Sequence, residues 1–387
     1  MVDQSQGRKT VRVAVSGYYG FHNSGDEAVL KSILNALEAQ GAKQGVNVQP
    51  VVLSGDPAGT TGMYGVEAVH RMRPADLLGA LRSCDGLISG GGSLLQDATS
   101  AKTIPYYTGV LKLAQLLGKP TYIYSQGIGP VNRRWMDPLI RDVMNKSRYI
   151  SVRDAESAAL LARIGVKPGR VEVVPDPVMG LPLPNGAASS SASPAPVSAD
   201  GTPIVGVSLR HWRKDGADLA RAAEALAALA RRRPVRLCFL PFHTPGGDVD
   251  ASRAVMERLG DIGPSTAELL APGDDPQQML LAVDRCAIVF GMRLHALIYA
   301  ANRRVPMLGL SYDPKIDQFL ARLELEPIGT TEALAAEAFA DAAEALLAEG
   351  GRTGWQAKHG GAIELLREAS QLPAQHIVTD LRLNHTR

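Results

Sequence analysis

Cysteine, aromatic residues and net charge are all in short supply in this chain. Its three cysteines, Cys84, Cys238 and Cys286, show no C-x-x-C spacing, which excludes a zinc ribbon and argues against a disulfide framework. Aromatic residues make up 5% of the chain and the formal net charge is +2. That composition offers few stacking platforms and no basic field for nucleic acid. The basic clusters Arg133-Arg134, Arg231-Arg232-Arg233 and Arg303-Arg304 read as solvated helix ends, where cations suit the dipole. No apolar run reaches the length of a membrane span. The opening residues, MVDQSQGRKTVRVAVSG, lack the apolar core of a signal peptide. Histidines are scattered without H-E-x-x-H spacing, and no acidic triplet has the spacing of a calcium loop. The G-x-S-x-G, Walker A and G-x-G-x-x-G patterns are missing too. These absences predict a cytoplasmic protein with no metal and no bound cofactor.

What is present is a long alternation of strand and helix signals. With 387 residues, 45% hydrophobic and 21% charged, the chain is globular and too long for one ordinary core. Residues 11–16 read as a first strand, followed by a glycine-containing loop that carries Asn23, Ser24 and Asp26, and then a helix. Such a loop is where doubly wound α/β domains bind ligands. Its polar residues could equally cap the helix, or Asp26 could face a ligand hydroxyl and assist a proton transfer. A strand over 86–89 ends in Gly90-Gly91-Gly92, glycines that let backbone approach backbone or ligand closely. A strand over 121–125 ends in Gln126, and one over 149–152 runs into Arg153-Asp154. Arg153 there either meets a ligand or pairs with Asp154 or Glu156.

The pattern predicts an α/β protein made of two Rossmann-like parallel-sheet domains facing a cleft. The expected division is a first domain over 1–180, a flexible linker rich in Pro, Ser and Ala over 181–203, a second domain over 204–350, and a C-terminal helix and tail over 351–387. In the second half, a strand over 204–209 ends in Arg210, and one over 235–240 leads to Phe242-His243.

The chain's organising stretch is CAIVFGMRLHALIYAANRRVPMLGLSYDPK, from Cys286 to Lys315. It reads as a buried strand, a turn at Gly291, a helix opening with Arg293-Leu294-His295, a second strand, and a turn before Lys315. A strand that turns into a helix N-terminus is a natural anion site. Arg293 adds fixed charge and His295 a group that titrates near neutrality. By itself an R-x-H also fits an arginine satisfying carbonyls beside a packed histidine. Positive charge recurs at predicted strand ends in both halves, at Arg153, Arg210, Arg213, Lys214, Arg293 and Lys315. That set suits a small, multiply anionic ligand.

In order along the chain, SGYYGFHNSGDEAVL, GGGSLLQD, YSQGIGP, SVRD, FGMRLHALIYA and SYDPK together resemble the polysaccharide pyruvyl transferase family. The likeness is greatest to bacterial enzymes that pyruvylate secondary cell-wall polymers recognised by S-layer homology domains. The linker, longer and richer in serine, departs from the pattern. The resemblance implies a GT-B-like fold and transfer of the pyruvyl group of phosphoenolpyruvate onto two hydroxyls of one sugar, forming a ketal and releasing phosphate. In the S-layer branch the acceptor is an N-acetylmannosamine-containing, lipid-linked saccharide, so peripheral contact with the inner membrane face is implied. Phosphoenolpyruvate would be a donor substrate and not a cofactor. Carried over by motif, His295 falls on the family's acid–base position, and Asp26 falls on the first-loop aspartate, expected to help deprotonate the acceptor or to bind it. Arg293, Arg153 and Lys315 fall on donor-binding positions. Arg210, Asn23, Gly91, Gly92 and Gln126 complete the expected substrate-binding set, while Arg71 and Arg73 match no sharp motif. Two other readings stay open: a nucleotide-sugar glycosyltransferase of the same fold, and a non-catalytic protein that binds anionic polymer or a membrane surface.

Overall fold

The structure is a computed structural model that describes residues 9–384 apart from 99, 168, 185, 188–199, 244–246, 271, 272 and 274. Two compact units emerge. The described residues of Met1–Phe21, Asp26–Leu181 and Arg367–Arg387 form the first, and those of His22–Gly25 and Pro182–Leu366 the second.

The first unit contains β1 (Lys9–Ser16), α1 (Ser24–Gln44), β2 (Val46–Ser54), α2 (Pro57–Tyr64), β3 (Glu67–His70) and α3 (Pro74–Ser83). After these come β4 (Gly86–Ser89), β5 (Gly92–Leu95), α4 (Thr103–Leu116), β6 (Thr121–Ile128), α5 (Asp137–Lys146), β7 (Tyr149–Val152), α6 (Ala155–Ile164) and β8 (Val171–Val173). The last two residues of the loop before α1 and the first two residues of the helix, His22 to Gly25, pack with the second unit. All pairings are parallel, in the order β3-β2-β1-β4-β6-β7-β8, with β5 added beside β6. Every residue of β4 and β6 is buried, as expected of a parallel sheet covered on both faces. Helix starts are written locally. Asp56 and Asp154 cap α2 and α6 by accepting from Gly59 N and Ser157 N, and Pro57 occupies the first turn of α2.

The second unit contains β9 (Ile204–Ser208), α7 (Ala217–Arg232), β10 (Arg236–Phe239), α8 (Asp248–Met256), β11 (Thr266–Leu269) and α9 (Pro276–Asp284). It continues with β12 (Ile288–Gly291), α10 (Leu294–Asn302), β13 (Met307–Ser311), α11 (Pro314–Ala321), β14 (Gly329–Thr330), α12 (Ala336–Leu347) and most of α13 (Gly351–Ala369). Its parallel order is β11-β10-β9-β12-β13-β14, the 3-2-1-4-5-6 arrangement of dinucleotide-binding sheets. The order reverses between β9 and β12, where Val207 lies opposite Phe290 and Ser208 opposite Gly291. Phe290 stacks edge-on against Phe339 of α12, 4.7 Å between centroids, in a core of alanine and leucine from α7.

Several elements depart from the sequence expectation. The strand expected over 121–125 runs on to Ile128, so Gln126 is inside β6 and not at its end. Most of the expected linker, 188–199, lies outside the described residues. The C-terminal stretch is not one appendage: α13 belongs mainly to the second unit, whereas α14 (Leu372–Asn384) packs in the first. There Asp380 accepts a 2.7 Å hydrogen bond from Tyr122 Oη, Thr379 Oγ1 donates to Gln44, and His376 stacks on Tyr149. Arg303, expected as a solvated helix end, is buried and donates to buried Asp284 at 2.7 Å.

Leu381, buried to 2% exposure, tests this docking. Replacing it with alanine should cost about 2–5 kcal/mol, the range for a truncated core leucine. The loss should appear as a lowered urea midpoint for the first unit; an unchanged midpoint would show that α14 adds no stability.

Candidate functional site

Ligands in open parallel sheets bind beyond the carboxyl ends of the strands where the order reverses. In the second unit that place lies between β9 and β12, and the residues that follow these strands are Arg210 and Arg293 to His295. Neighbouring strands in a sheet are about 4.8 Å apart, so His243 after β10 and Tyr312 to Lys315 after β13 belong to the same edge.

Arg293 caps α10 without a side-chain capping bond. Its guanidinium instead forms a bidentate pair with Asp248, through Nε to Oδ2 at 3.0 Å and through Nη2 to Oδ1. Asp248 opens α8, is fully buried, and also accepts from His243 N at 3.0 Å. Arg293, which the resemblance places at a donor-binding position, is thus already engaged by a buried carboxylate. Its charge is largely spent on a carboxylate that could not otherwise be buried.

Arg210 is the better anion receptor. It pairs with no carboxylate among the described residues. Its Nε donates to His211 O and its Nη1 to Tyr312 Oη, both at 3.4 Å, and it lies 5.5 and 5.4 Å from the ring centroids of Trp212 and Tyr312. Lys315, in the first turn of α11, is 3.1 Å from Asp313 and 5.7 Å from the Tyr312 ring. Arg213 differs again: it is committed to Asp215 and Glu332, so it leaves the strand-end set.

His295 occupies the first turn of α10 and is half-buried. The tip of the first loop packs against it. A β-carbon added at Gly25 would fall 2.3 Å from His295 Nδ1, so only glycine permits this approach. Asn23 bridges to His243, Ser24 N donates to Phe242 O at 3.2 Å, and Asn23 Oδ1 accepts from Gly25 N. His243 was missed by the sequence reading, which saw only a polar strand end. Burial first, then the cations Arg293 and Arg210, push its imidazole below the usual histidine range, with Asp248 opposing.

The first unit repeats the arrangement at its own reversal between β1 and β4. Gly92 has φ +86°, and an added β-carbon there would lie 2.9 Å from Asp26 Oδ1. Gln126 Nε2 donates to Gly90 O and Ser89 Oγ, so this fully buried residue braces the glycine run instead of projecting from a strand end. Gly91 packs against Val29. Burial and then the charge of Asp26 hold the Tyr19 hydroxyl far above its ordinary range. Arg153 donates to Ser93 Oγ at 2.8 Å and lies 3.6 Å from both Asp154 and Asp176. The pairing reading thus applies alongside any ligand role. The structure brings Asp26, Gly91, Gly92, Gln126 and Arg153 together in the first unit, and Asn23, Arg210, Arg293, His295 and Lys315 in the second. Among the described residues, no group of three or more His, Cys, Asp or Glu side chains is placed to hold a metal ion, and no helix is long and apolar enough to cross a membrane.

Two outcomes test this geometry. Arg293→Ala leaves a buried carboxylate uncompensated and should destabilise the second unit by about 3–5 kcal/mol; a denaturant midpoint within error of wild type would refute the pairing. His243 has a folded pKa below its unfolded value, so between the two the unfolded chain binds more protons. Stability should fall as pH drops below about 6.5, and His243→Gln should flatten that decline in thermal melts at stepped pH.

Comparisons with known proteins agree with this architecture. The chain matches the family model described as "Polysaccharide pyruvyl transferase" over residues 23–314. No curated protein matches it in sequence. Among solved structures it is similar to a glycosyltransferase from Rickettsia africae, with TM-score 0.63, 10% identity, and coverage of 97% of this chain and 99% of that one. It is also similar to Anabaena HepE in complex with UDP and glucose, with TM-score 0.60, 12% identity, and coverage of 97% and 100%. The UDP-GlcNAc 2-epimerase from Neisseria meningitidis, bound to UDP-GlcNAc, gives TM-score 0.59 and 11% identity, covering 96% and 100%. At such identities the likeness shows the fold alone, two parallel-sheet units of the GT-B class. The family match spans well over half of the chain, and with it the chain belongs to the polysaccharide pyruvyl transferase family and is a transferase.

Proposed function

We propose that the enzyme transfers the pyruvyl group of phosphoenolpyruvate to two hydroxyls of one sugar, forming a ketal and releasing phosphate. The acceptor in this reading is an N-acetylmannosamine-containing, lipid-linked saccharide of a cell-wall polymer that anchors S-layer proteins, met at the inner membrane face. The observation that carries the donor assignment is Arg210, a cation with no carboxylate partner among the described residues, on the same strand edge as His295 and Lys315. Phosphoenolpyruvate bears a carboxylate and a phosphate on neighbouring atoms, and each needs charge-assisted donors.

The chemistry assigns a proton carrier to His295. The imidazolium gives a proton to the methylene carbon, and the C2 cation that results is trapped by the first sugar hydroxyl, whose proton passes to the imidazole. Departure of phosphate then regenerates a cation at C2, the second hydroxyl attacks it, and its proton leaves with phosphate. Two hydroxyl protons are lost, one carbon gains one, and phosphate takes the other. General acid–base catalysis of this kind contributes about 10²–10⁴-fold. The developing positive charge at C2 is countered by the substrate's own carboxylate. Asp26 in this scheme assists deprotonation of the acceptor, and Arg153 serves as a further anion contact.

The test is incubation with phosphoenolpyruvate and a disaccharide of N-acetylmannosamine and N-acetylglucosamine on a short alkyl diphosphate. Products heavier by one pyruvyl ketal, with one phosphate released per product, are expected. His295→Ala should keep its melting temperature and lose turnover by about 10²–10⁴-fold. Arg210→Ala should mainly weaken phosphoenolpyruvate binding by calorimetry. Full turnover in the His295 variant would remove the imidazole from the mechanism, and unchanged affinity in the Arg210 variant would move the donor site elsewhere.

A further inference from the structure

The first unit carries an aromatic construction that the donor chemistry does not use. Arg71, just beyond β3, is 7% exposed. It is held by Gly17 O at 2.8 Å and by Tyr107 Oη at 3.2 Å, and no carboxylate among the described residues offsets its charge. Aromatic faces do so instead: its guanidinium carbon lies 4.4 Å from the Tyr106 ring centroid, 5.2 Å from Tyr107 and 5.5 Å from Phe21. Phe21 in turn stacks on Tyr18, with centroids 4.2 Å apart and planes 12° from parallel. Gly55 closes in on Phe21, since an added β-carbon would be 2.7 Å from its ring. Phe21 is thus clamped from beneath, and Tyr18, 42% exposed, is the outermost ring of the stack.

This construction departs from what a surface tyrosine ordinarily needs. A partly exposed ring, backed by a second ring and a buried cation, stands just past the carboxyl end of β1, beside the strand-order reversal where ligands bind. A pyranose has a matching surface. The axial C–H groups on one face of the sugar ring are electron-poor and are attracted to the negative face of an aromatic ring, as edge hydrogens and cations are. A two-torsion side chain already fixed by its neighbours loses little entropy on binding.

We infer that the Tyr18 ring is the platform on which a pyranose of the saccharide acceptor stacks, with Phe21 and Arg71 holding that ring in place. The inference rests on the proposed function for the identity of its occupant, a saccharide, and extends it by naming the contact that recognises the sugar's apolar face. Neither Tyr18 nor Arg71 touches the reacting atoms in this account.

Two independent readouts test it. In saturation-transfer NMR with the N-acetylmannosamine–N-acetylglucosamine disaccharide alone, wild type and Tyr18→Phe should saturate the sugar ring C–H protons, and Tyr18→Ala should lose most of that signal. In the pyruvyl transfer assay Tyr18→Ala should raise KM for the acceptor about tenfold, the size of a lost ring stack, and leave KM for phosphoenolpyruvate within twofold. Melting temperature should hold in both variants, since the ring is largely at the surface. Disaccharide signals that persist in Tyr18→Ala, or that are missing in wild type, would overturn the inference. So would equal rises in both KM values. The NMR arm needs no turnover, so absence of ketal formation would count against the proposed function while leaving the stacking result readable.

Discussion

The second unit is organised around one buried carboxylate. Asp248 is fully excluded from water, and an ionised carboxylate so placed costs several kcal/mol unless its lone pairs are satisfied. It opens α8, where the helix dipole favours an anion. It accepts the backbone N–H of His243 and both arms of the Arg293 fork. These bonds tie the end of β10, the start of α8 and the start of α10 to one point. His295 is two residues past Arg293, so its backbone is set by the same tie. Burial, and then the cations that this arrangement gathers, disfavour protonation of the His243 imidazole. A site of this kind is preorganised by its own folding energy, which is how enzymes hold reacting groups in place without reorganisation at the moment of reaction.

Both units use the same device at their strand-order reversals. In each, a glycine admits a functional side chain closer than any β-carbon would allow: Gly92 beside Asp26 in the first, Gly25 beside His295 in the second. The first loop serves both. Its residues up to Phe21 and from Asp26 onward pack in one unit, and His22 to Gly25 pack in the other. One short run of sequence therefore contributes the Tyr18–Phe21 stack, the glycine that faces His295, and the carboxylate that faces the Gly90–Gly92 run. Its glycines and small polar residues follow from those simultaneous demands on space.

Much of this was legible from periodicity. Strands such as β4, β7 and β12 are short apolar runs bounded by glycine or polar residues, and their edges were read to within a residue. The missed elements have physical reasons. The edge strands β3 and β11 contain no fully buried residue, so they lack an apolar run to detect. Helix α14 was invisible as a docking element because its partners, Tyr122, Gln44 and Tyr149, lie more than two hundred residues away in sequence. At the site, the type and place of Arg210, Arg293 and His295 followed from strand ends. Which arginine was already neutralised did not, because the neutralising Asp248 is a single acidic residue among many at helix starts. Gln126 misled for a related reason: the glycine after it reads as a turn, whereas the sheet continues because β5 adds a parallel neighbour, pairing Gly92 with Gln126.

The distinction between paired and unpaired arginines decides how the cations divide their work. A guanidinium already bonded to a buried carboxylate brings little net charge to an arriving anion, because the pair is nearly neutral and is bound to its place. Arg293 is of this type, and Arg153 shares two carboxylates at longer range. Lys315 also has a partner, yet that pair is more than 30% exposed on both sides, and such pairs are worth at most about 1 kcal/mol. A phosphate can displace Asp313 from it at little cost. Among the described residues, Arg210 meets only a carbonyl, a hydroxyl and two aromatic faces, which leave its charge uncancelled. In the proposed reaction, the attraction for a trianionic donor therefore falls to Arg210 and Lys315, Arg293 fixes the helix start through Asp248, and His295 is the group assigned to carry the proton.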